Sequence, residues 1–136
     1  MSRGGHDLPS GLSPRFTRHL EHPCNVGELP APHGRAELTG QCGDSIGVQI
    51  VVRDDVLEQV AVQPRGCVYT LACASAVSIL ARGRTLDEAL ELGPDDVMAE
   101  LGGLPADHAH CARLAVNTLG EAIAEYCRAV APARSR

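Results

Sequence analysis

Aromatic residues are almost absent from this sequence: of its 136 residues one is Phe, two are Tyr and none is Trp. A hydrophobic core must therefore be built from Ala, Val, Leu and Ile, and the aromatic platforms that stack single-stranded nucleic acid are missing. An excess of basic charge is missing too, because 17 acidic residues outnumber 12 Lys and Arg and give a net charge of −5. Both absences argue against a general nucleic-acid-binding protein.

Long apolar runs are also lacking. No stretch approaches the roughly 20 apolar residues that a membrane helix requires, so we expect no membrane partner. The N-terminus has no apolar signal-peptide core, which predicts a cytoplasmic location. In such a reducing compartment, free thiols suited to metal or sulfur chemistry are expected in place of disulfides.

Cysteine is abundant for a chain of this size. The six are Cys24, Cys42, Cys67, Cys73, Cys111 and Cys127. None forms a CxxC pair, so a zinc-ribbon knuckle is excluded. Any metal site must collect its ligands from distant segments.

The chain is predicted to form one domain. Residues 1–12 are polar, Gly-rich and without period, which indicates a disordered lead. Residues 13–130 carry the periodic patterns of a single folded unit, and residues 131–136 are expected to be a frayed tail.

The strands are predicted to be consecutive in the chain. Apolar residues alternate with others over 46–52 and again over 56–63, and the two Asp residues at 54–55 make a turn. This period of two predicts a β-hairpin, and residues 35–40 are expected to add a preceding strand.

Helices are predicted on both sides of these strands. Ser13 followed by Pro14 is a typical helix start, and Thr85 with Glu88 fits a capping box. The expected helices cover about 13–21, 70–81, 85–92, 94–102 and from about 110 onward. This order predicts an α+β fold, a three-stranded antiparallel sheet with helices packed on it.

Three cysteines are predicted to lie at the ends of regular elements. Cys42 sits in a Gly-flanked turn, Cys67 lies where a strand passes into a helix, and Cys111 opens the last helix. Helix N-termini favour the thiolate and lower the pKa of a thiol. With Asp44 or His110, the three form a tetrahedral set suited to zinc or to the iron of a cluster. Asp44 could instead bond turn amides, and His110 could simply cap the helix.

The other cysteines and histidines are interpreted differently. Cys127 follows Cys111 by about 24 Å along one helix, so it cannot share the site and is expected to pack. Cys73 is expected in the core. Cys24, in a proline-rich loop, is either incidental or a fourth thiol ligand or redox partner. Solvated positions are expected for His19, His22, His33 and His108.

Five sequence segments, spread over roughly residues 13–128, occur in the same order as in a known protein family. They are HPCNVGEL at 22–29, CGDSIGVQIVV at 42–52, RGCVYTLACAS at 65–75, GRTLDEAL at 83–90 and HCARLAVNTLGEAI at 110–123. In this combination the chain resembles the iron–sulfur cluster scaffold proteins, the NifU N-terminal domain and IscU. The family's three cluster cysteines fall on Cys42, Cys67 and Cys111, its Asp on Asp44, and its His on His110.

The resemblance implies a NifU/IscU-like fold and a scaffold or carrier, not an enzyme. A cysteine desulfurase donates sulfur, iron arrives separately, and a transient [2Fe–2S] or [4Fe–4S] cluster is built and passed to acceptor proteins. Cys111 is expected to accept the sulfur. A homodimer bridged by a cluster is one arrangement, and purified protein is expected to carry zinc in some preparations.

The chain departs from the family pattern in three places. Cys24 stands where the family usually has Arg, and Cys73 where it has Ser or another small residue. The segment LPADHAHC at 104–111 lacks the lysine and the second proline of the segment that recruits a specialised Hsp70-type chaperone. This departure speaks against that chaperone as a partner.

Two other functions would use the same thiols. One is a zinc-bound sulfur-transfer or regulatory protein, with Asp44 or His110 as the fourth ligand. The other is a thiol redox module, in which two of the cysteines at 24, 42, 67 and 111 form a switchable disulfide.

Overall fold

The computed structural model describes residues 12–134, so all but the last residue of the predicted lead at 1–12 lies outside the described residues. The elements are α1 (Pro14–Glu21), β1 (Gly34–Thr39), β2 (Ser45–Arg53), β3 (Val56–Arg65), α2 (Val68–Ala81), α3 (Leu86–Leu90), α4 (Pro94–Leu101), a 3-10 turn (Ala106–His108) and α5 (Ala109–Arg134). The α+β class is confirmed. α5 continues through the first four residues of the predicted tail, 131–134.

The strands form one antiparallel sheet in the order β1–β2–β3. The β2–β3 hairpin is closed by Asp54 and Asp55, whose φ angles of 55° and 61° lie in the left-handed region. Two such residues make the hairpin turn whose twist matches the strands, and Asp tolerates it. Along β2 the alternate residues Ile46, Val48 and Ile50 are fully buried, which confirms the period of two.

Two long helices cover the sheet. α5 packs along β1 and β2, α2 packs along β3, and the two helices contact each other. α4 lies against both α2 and α5, and α1 against α2 and α4. The core is mostly aliphatic, as the composition predicts, and its aromatic members Phe16 and Tyr69 have ring centroids 5.5 Å apart. Within 12–134, no helix combines the length and apolar character that crossing a bilayer requires.

The helix boundaries follow their capping residues. The Ser13 hydroxyl accepts the Phe16 N–H at 3.1 Å, and Thr85 with Glu88 forms both halves of a capping box. Gly102, at φ 76°, ends α4 in the left-handed conformation that favours glycine. These caps explain why α1 and α3 begin where the sequence predicts.

His19 contradicts the expectation of a solvated side chain. It is 5% exposed, its Nδ1 lies 2.7 Å from Ser75 Oγ, and its Nε2 lies 3.1 Å from Glu100 Oε2. The reason is its position three residues after the buried Phe16, on the same face of α1. The imidazole links α1 to α2 and α4 through hydrogen bonds that satisfy its buried nitrogens.

The close packing of α5 against β1 depends on the absence of a side chain at Gly34. A Cβ atom there would lie 2.5 Å from the Ala122 carbonyl oxygen and 3.0 Å from Tyr126 Cβ. We expect Gly34→Ala to lower the free energy of unfolding by about 1–3 kcal/mol, because helix and strand must separate to admit the methyl group. Urea unfolding followed by circular dichroism measures this.

Gly120→Ala is the matched control, because nothing lies within 4 Å of a Cβ at this position of α5. It should leave stability unchanged or raise it by up to about 1 kcal/mol, since Ala is the better helix former. Equal urea midpoints for Gly34→Ala and the parent would contradict the close-packing argument.

Candidate metal centre

Cys42 lies in the five-residue loop that connects β1 to β2. The Gly40 N–H donates to the Asp44 carbonyl at 2.8 Å, and the Gly43 N–H donates to the Gly40 carbonyl at 3.1 Å. Gly43 has a φ of 90°, which only glycine adopts readily. This tight loop holds the Cys42 thiol out of the core, where it is exposed.

Cys67 and Cys111 lie at the starts of the two long helices. Cys67 is the N-cap residue of α2 and is exposed, whereas Cys111 is the third residue of α5 and is 1% exposed. The helix starts face the loop of Cys42: His110 Nε2 lies 3.3 Å from Cys42 Sγ and 3.7 Å from Cys111 Sγ. The element ends therefore meet at one edge of the domain.

Asp44 lies beside Cys67. Its Oδ2 accepts the Thr70 hydroxyl at 2.6 Å and lies 3.6 Å from Cys67 Sγ. Because Ser45 pairs with Arg65, Asp44 stands opposite Gly66. A Cβ on Gly66 would lie 2.7 Å from Asp44 Oδ2, so the glycine leaves the space that the carboxylate occupies.

The Thr70 hydroxyl connects these groups and was not predicted from the sequence. Besides its bond to Asp44, its oxygen lies 3.7 Å from Cys67 Sγ and 3.9 Å from Cys111 Sγ, and the residue is fully buried. The hydrogen bond from this hydroxyl is the main reason why the pKa of Asp44 lies below its ordinary value of 3.8. The available signal was its spacing, three residues after Cys67 on the same face of a helix start.

The pKa of Cys111 runs against the sequence expectation. A helix N-terminus was expected to favour its thiolate, but burial raises the pKa to about 11. The hydrogen bond with Thr70 lowers it only in part. In the metal-free protein Cys111 is therefore a neutral thiol at physiological pH.

The five predicted site residues form a continuous chain of contacts. His110 joins Cys42 to Cys111, Cys111 and Cys67 belong to one group of ligand atoms within 4.8 Å of one another, and Asp44 contacts Cys67. Two thiolates bound to one tetrahedral ion stand about 3.8 Å apart, given metal–sulfur bonds of about 2.3 Å. The spacing of the Cys67 and Cys111 sulfur atoms, within 4.8 Å, fits such an ion after small side-chain rotations, and the ligand roles themselves stay predictions.

The remaining cysteines lie elsewhere. The Cys24 N–H donates to Ser75 Oγ at 2.8 Å, and Ser75 follows Cys67 by two helical turns, about 12 Å. Cys73 is fully buried, as predicted, and burial raises its thiol pKa. Cys127 is exposed, so its predicted packing role is wrong. The repeat of small residues along α5 did not reveal which face that part of the helix turns to solvent.

His108 is not the solvated residue that the sequence indicated. It is half-buried at the end of the 3-10 turn, and its ring stacks on Tyr69 with centroids 3.7 Å apart and planes 13° apart. A histidine two positions before the predicted ligand His110 was the only sequence signal.

The sequence is similar to proteins of one family. The sequence-family model described as the NifU-like N-terminal domain matches residues 13–132 of this chain. A protein of Archaeoglobus fulgidus named iron-sulfur cluster assembly scaffold protein IscU 1 is 36% identical over 111 residues, covering 81% of this chain and 72% of its own length. A scaffold protein IscU of Aquifex aeolicus is 35% identical, covering 79% and 71%.

Among solved structures, the fold is similar to that of a nitrogen-fixing NifU-like protein (N-terminal) from Brucella abortus. The TM-score is 0.67 at 18% identity, over 85% of this chain and 94% of that one. At this identity the likeness shows the fold alone.

The Thr70 hydroxyl generates a pH prediction for the metal-free protein. Thr70→Val keeps the shape but removes the donor, so the pKa of Asp44 should rise towards or above 3.8, whereas Thr70→Ser should keep it low. A lowered carboxyl pKa contributes stability that is present above the ordinary value and lost as pH falls through the folded value. Below about pH 4 Thr70→Val should therefore lose less stability than the parent.

Carbon-13 NMR of the labelled Asp44 carboxyl measures the pKa, and urea unfolding at pH 7 and pH 3 measures the linked stability. An Asp44 pKa that is the same in Thr70→Val as in the parent would show that this hydrogen bond does not set it.

Proposed function

The chain belongs to the NifU-like N-terminal domain family, and on this premise we propose that it is a scaffold on which an iron–sulfur cluster is assembled and then passed on. The observation that carries the proposal is the meeting of Cys42, Cys67 and Cys111, from three distant segments, at one edge of the domain. The cluster is cargo, so the protein acts as a carrier and not as an enzyme.

The chemistry of the donors supports this role. Thiolates are soft ligands that select iron–sulfur clusters, whereas carboxylates are hard ligands that suit other metals. Cys42, Cys67 and Cys111 would hold the cargo, and Asp44 or His110 would complete the coordination. A scaffold must also release what it builds, and one weak oxygen ligand makes release easier.

Sulfur would enter by transfer of a persulfide from a cysteine desulfurase. A scaffold thiolate attacks the outer sulfur of the desulfurase persulfide, a new S–S bond forms, and the desulfurase thiolate leaves. Cys42 and Cys67 are the exposed thiols that an incoming persulfide would reach, and Cys42 lies beside His110 at 3.3 Å. Cys111, the acceptor expected from the sequence because it lies at a helix start beside His110, is 1% exposed and would take this role only if the start of α5 opened.

The remaining partners follow from this task. Iron–sulfur acceptor proteins would receive the cluster, and the loop of Cys42 and the starts of α2 and α5 are the surface that they would contact. The six cysteines are free, which fits assembly in a reducing compartment such as the cytoplasm. Zinc bound by the same residues, in a sulfur-transfer or regulatory protein, is the second candidate, since the donor set also suits that metal.

Anaerobic reconstitution with ferrous iron, cysteine and a desulfurase tests the scaffold proposal. The parent should become brown and show sulfur-to-iron charge-transfer absorption, and each of Cys42→Ser, Cys67→Ser and Cys111→Ser should lose most of that absorption. Cys127→Ser is the control, because its thiol is exposed and lies about 24 Å along α5 from Cys111. A colourless parent that retains one tight zinc ion would favour the zinc alternative.

Asp44 is expected to govern release. Asp44→Ala should slow cluster transfer to an apo-ferredoxin and leave the loaded scaffold longer-lived, because a labile oxygen ligand is gone. The transfer rate is read from the absorption of the acceptor. Glu121→Ala, an exposed acid farther along α5, controls for the change in charge. Equal transfer rates in Asp44→Ala and the parent would remove Asp44 from the release step.

A further inference from the structure

A cleft of about 440 Å³ lies between α1, the segment 22–24, α2 and α4. Its volume falls in the range of small-molecule pockets, about 300–1,000 Å³. Arg15 and Arg18 of α1, the thiol residue Cys24 and the apolar Ile79 of α2 line it. None of the described residues that line the cleft belongs to the candidate metal centre. The cleft therefore brings a thiol and two guanidinium groups together at a separate place on the domain.

The backbone of Cys24 is fixed by two serine side chains of α2. Its N–H donates to Ser75 Oγ at 2.8 Å, and its carbonyl accepts the Ser78 hydroxyl at 3.2 Å. Ser75 Oγ also lies 2.7 Å from Nδ1 of the buried His19. This hydrogen-bond network sets the position of Cys24 at the cleft, where the residue is partly exposed.

The cleft carries more positive than negative charge. Arg15 Nη1 donates to the Ala99 carbonyl at 2.9 Å, and this partner is uncharged. The Arg18 side chain is exposed and makes no ion pair within residues 12–134. The carboxylate at the cleft, that of Glu100, lies 3.1 Å from His19 Nε2. The two guanidinium groups therefore favour an anionic ligand, since Arg binds carboxylates through paired hydrogen bonds.

We propose that the cleft binds a small disulfide that carries carboxylate groups, and that Cys24 forms a mixed disulfide with one half of it. The Cys24 thiol loses its proton to water, and the thiolate attacks one sulfur of the bound disulfide. A new S–S bond forms as the old one breaks, and the other half leaves as a thiolate that takes up a proton. A free small thiol reverses the reaction. This modification site goes beyond the scaffold function and does not rest on it.

Reaction of the full-length, reduced, metal-free chain with glutathione disulfide tests the proposal. Peptide mass spectrometry measures the rate of mixed-disulfide formation at each cysteine, and the exposed Cys127 is the internal reference. Neutral bis(2-hydroxyethyl) disulfide is the comparison reagent at the same pH. The ratio of the Cys24 rate to the Cys127 rate should be about tenfold higher with the anionic reagent, because a cleft lined by charge raises local ligand concentration by at least about that factor.

Arg15→Gln together with Arg18→Gln keeps hydrogen-bond donors but removes both charges. This double variant should lower the Cys24 rate with glutathione disulfide about tenfold. The rate with the neutral reagent should stay within about twofold of the parent, because an uncharged disulfide has no Coulomb energy to lose. Arg35→Gln with Arg53→Gln removes the same charge from exposed positions on the sheet and is the matched control. Thermal unfolding verifies that each variant folds.

Three results would overturn the proposal. They are equal rate ratios for the two reagents, a double variant at 15 and 18 that reacts as the parent does, and an equal loss of rate in the matched control. Cluster reconstitution is scored separately, and Cys24→Ser should reconstitute as the parent does. Loss of the cluster in Cys24→Ser would make Cys24 a ligand of the cargo and would also overturn the separate site.

Discussion

The antiparallel pairing of Ser45 with Arg65 is the constraint on which the site depends. It sets Asp44 opposite Gly66, and it delivers the chain to Cys67 at the position where the carboxylate of Asp44 can reach it. A slip of one residue in this register would turn every side chain of β2 to the other face of the sheet. The burial of alternate residues of β2 against α2 and α5 therefore fixes the site as well as the core.

Much of the fold could be predicted because its signals are local. Period-two alternation identified the hairpin, and Ser13, Thr85 and Glu88 identified helix starts. The meeting of Cys42, Cys67 and Cys111 was predicted from their places at element ends, together with the resemblance to a family. Local signals place each thiol at the end of an element, and the resemblance indicates that these ends meet.

The rest depends on contacts between residues distant in the chain. His19 is buried by α2 and α4, and His108 is held by Tyr69 from another helix. No periodicity in the sequence encodes such pairings. Cys111 shows the same limit in its electrostatics: the helix start favours a thiolate, but the burial that raises its pKa follows from tertiary packing. The packing predicted for Cys127 was wrong because tertiary packing also decides which part of α5 stays uncovered.

The order of the thiols along the chain has a mechanical consequence. From Cys42 to Cys67 is 25 residues and from Cys67 to Cys111 is 44 residues. A ligand bonded to all three cysteines would therefore close two long loops of the chain. Such a ligand acts as a reversible cross-link, and its binding free energy adds to the free energy of folding. Binding of the cargo would restrict the motion of the domain, and its release would restore conformational entropy to the chain.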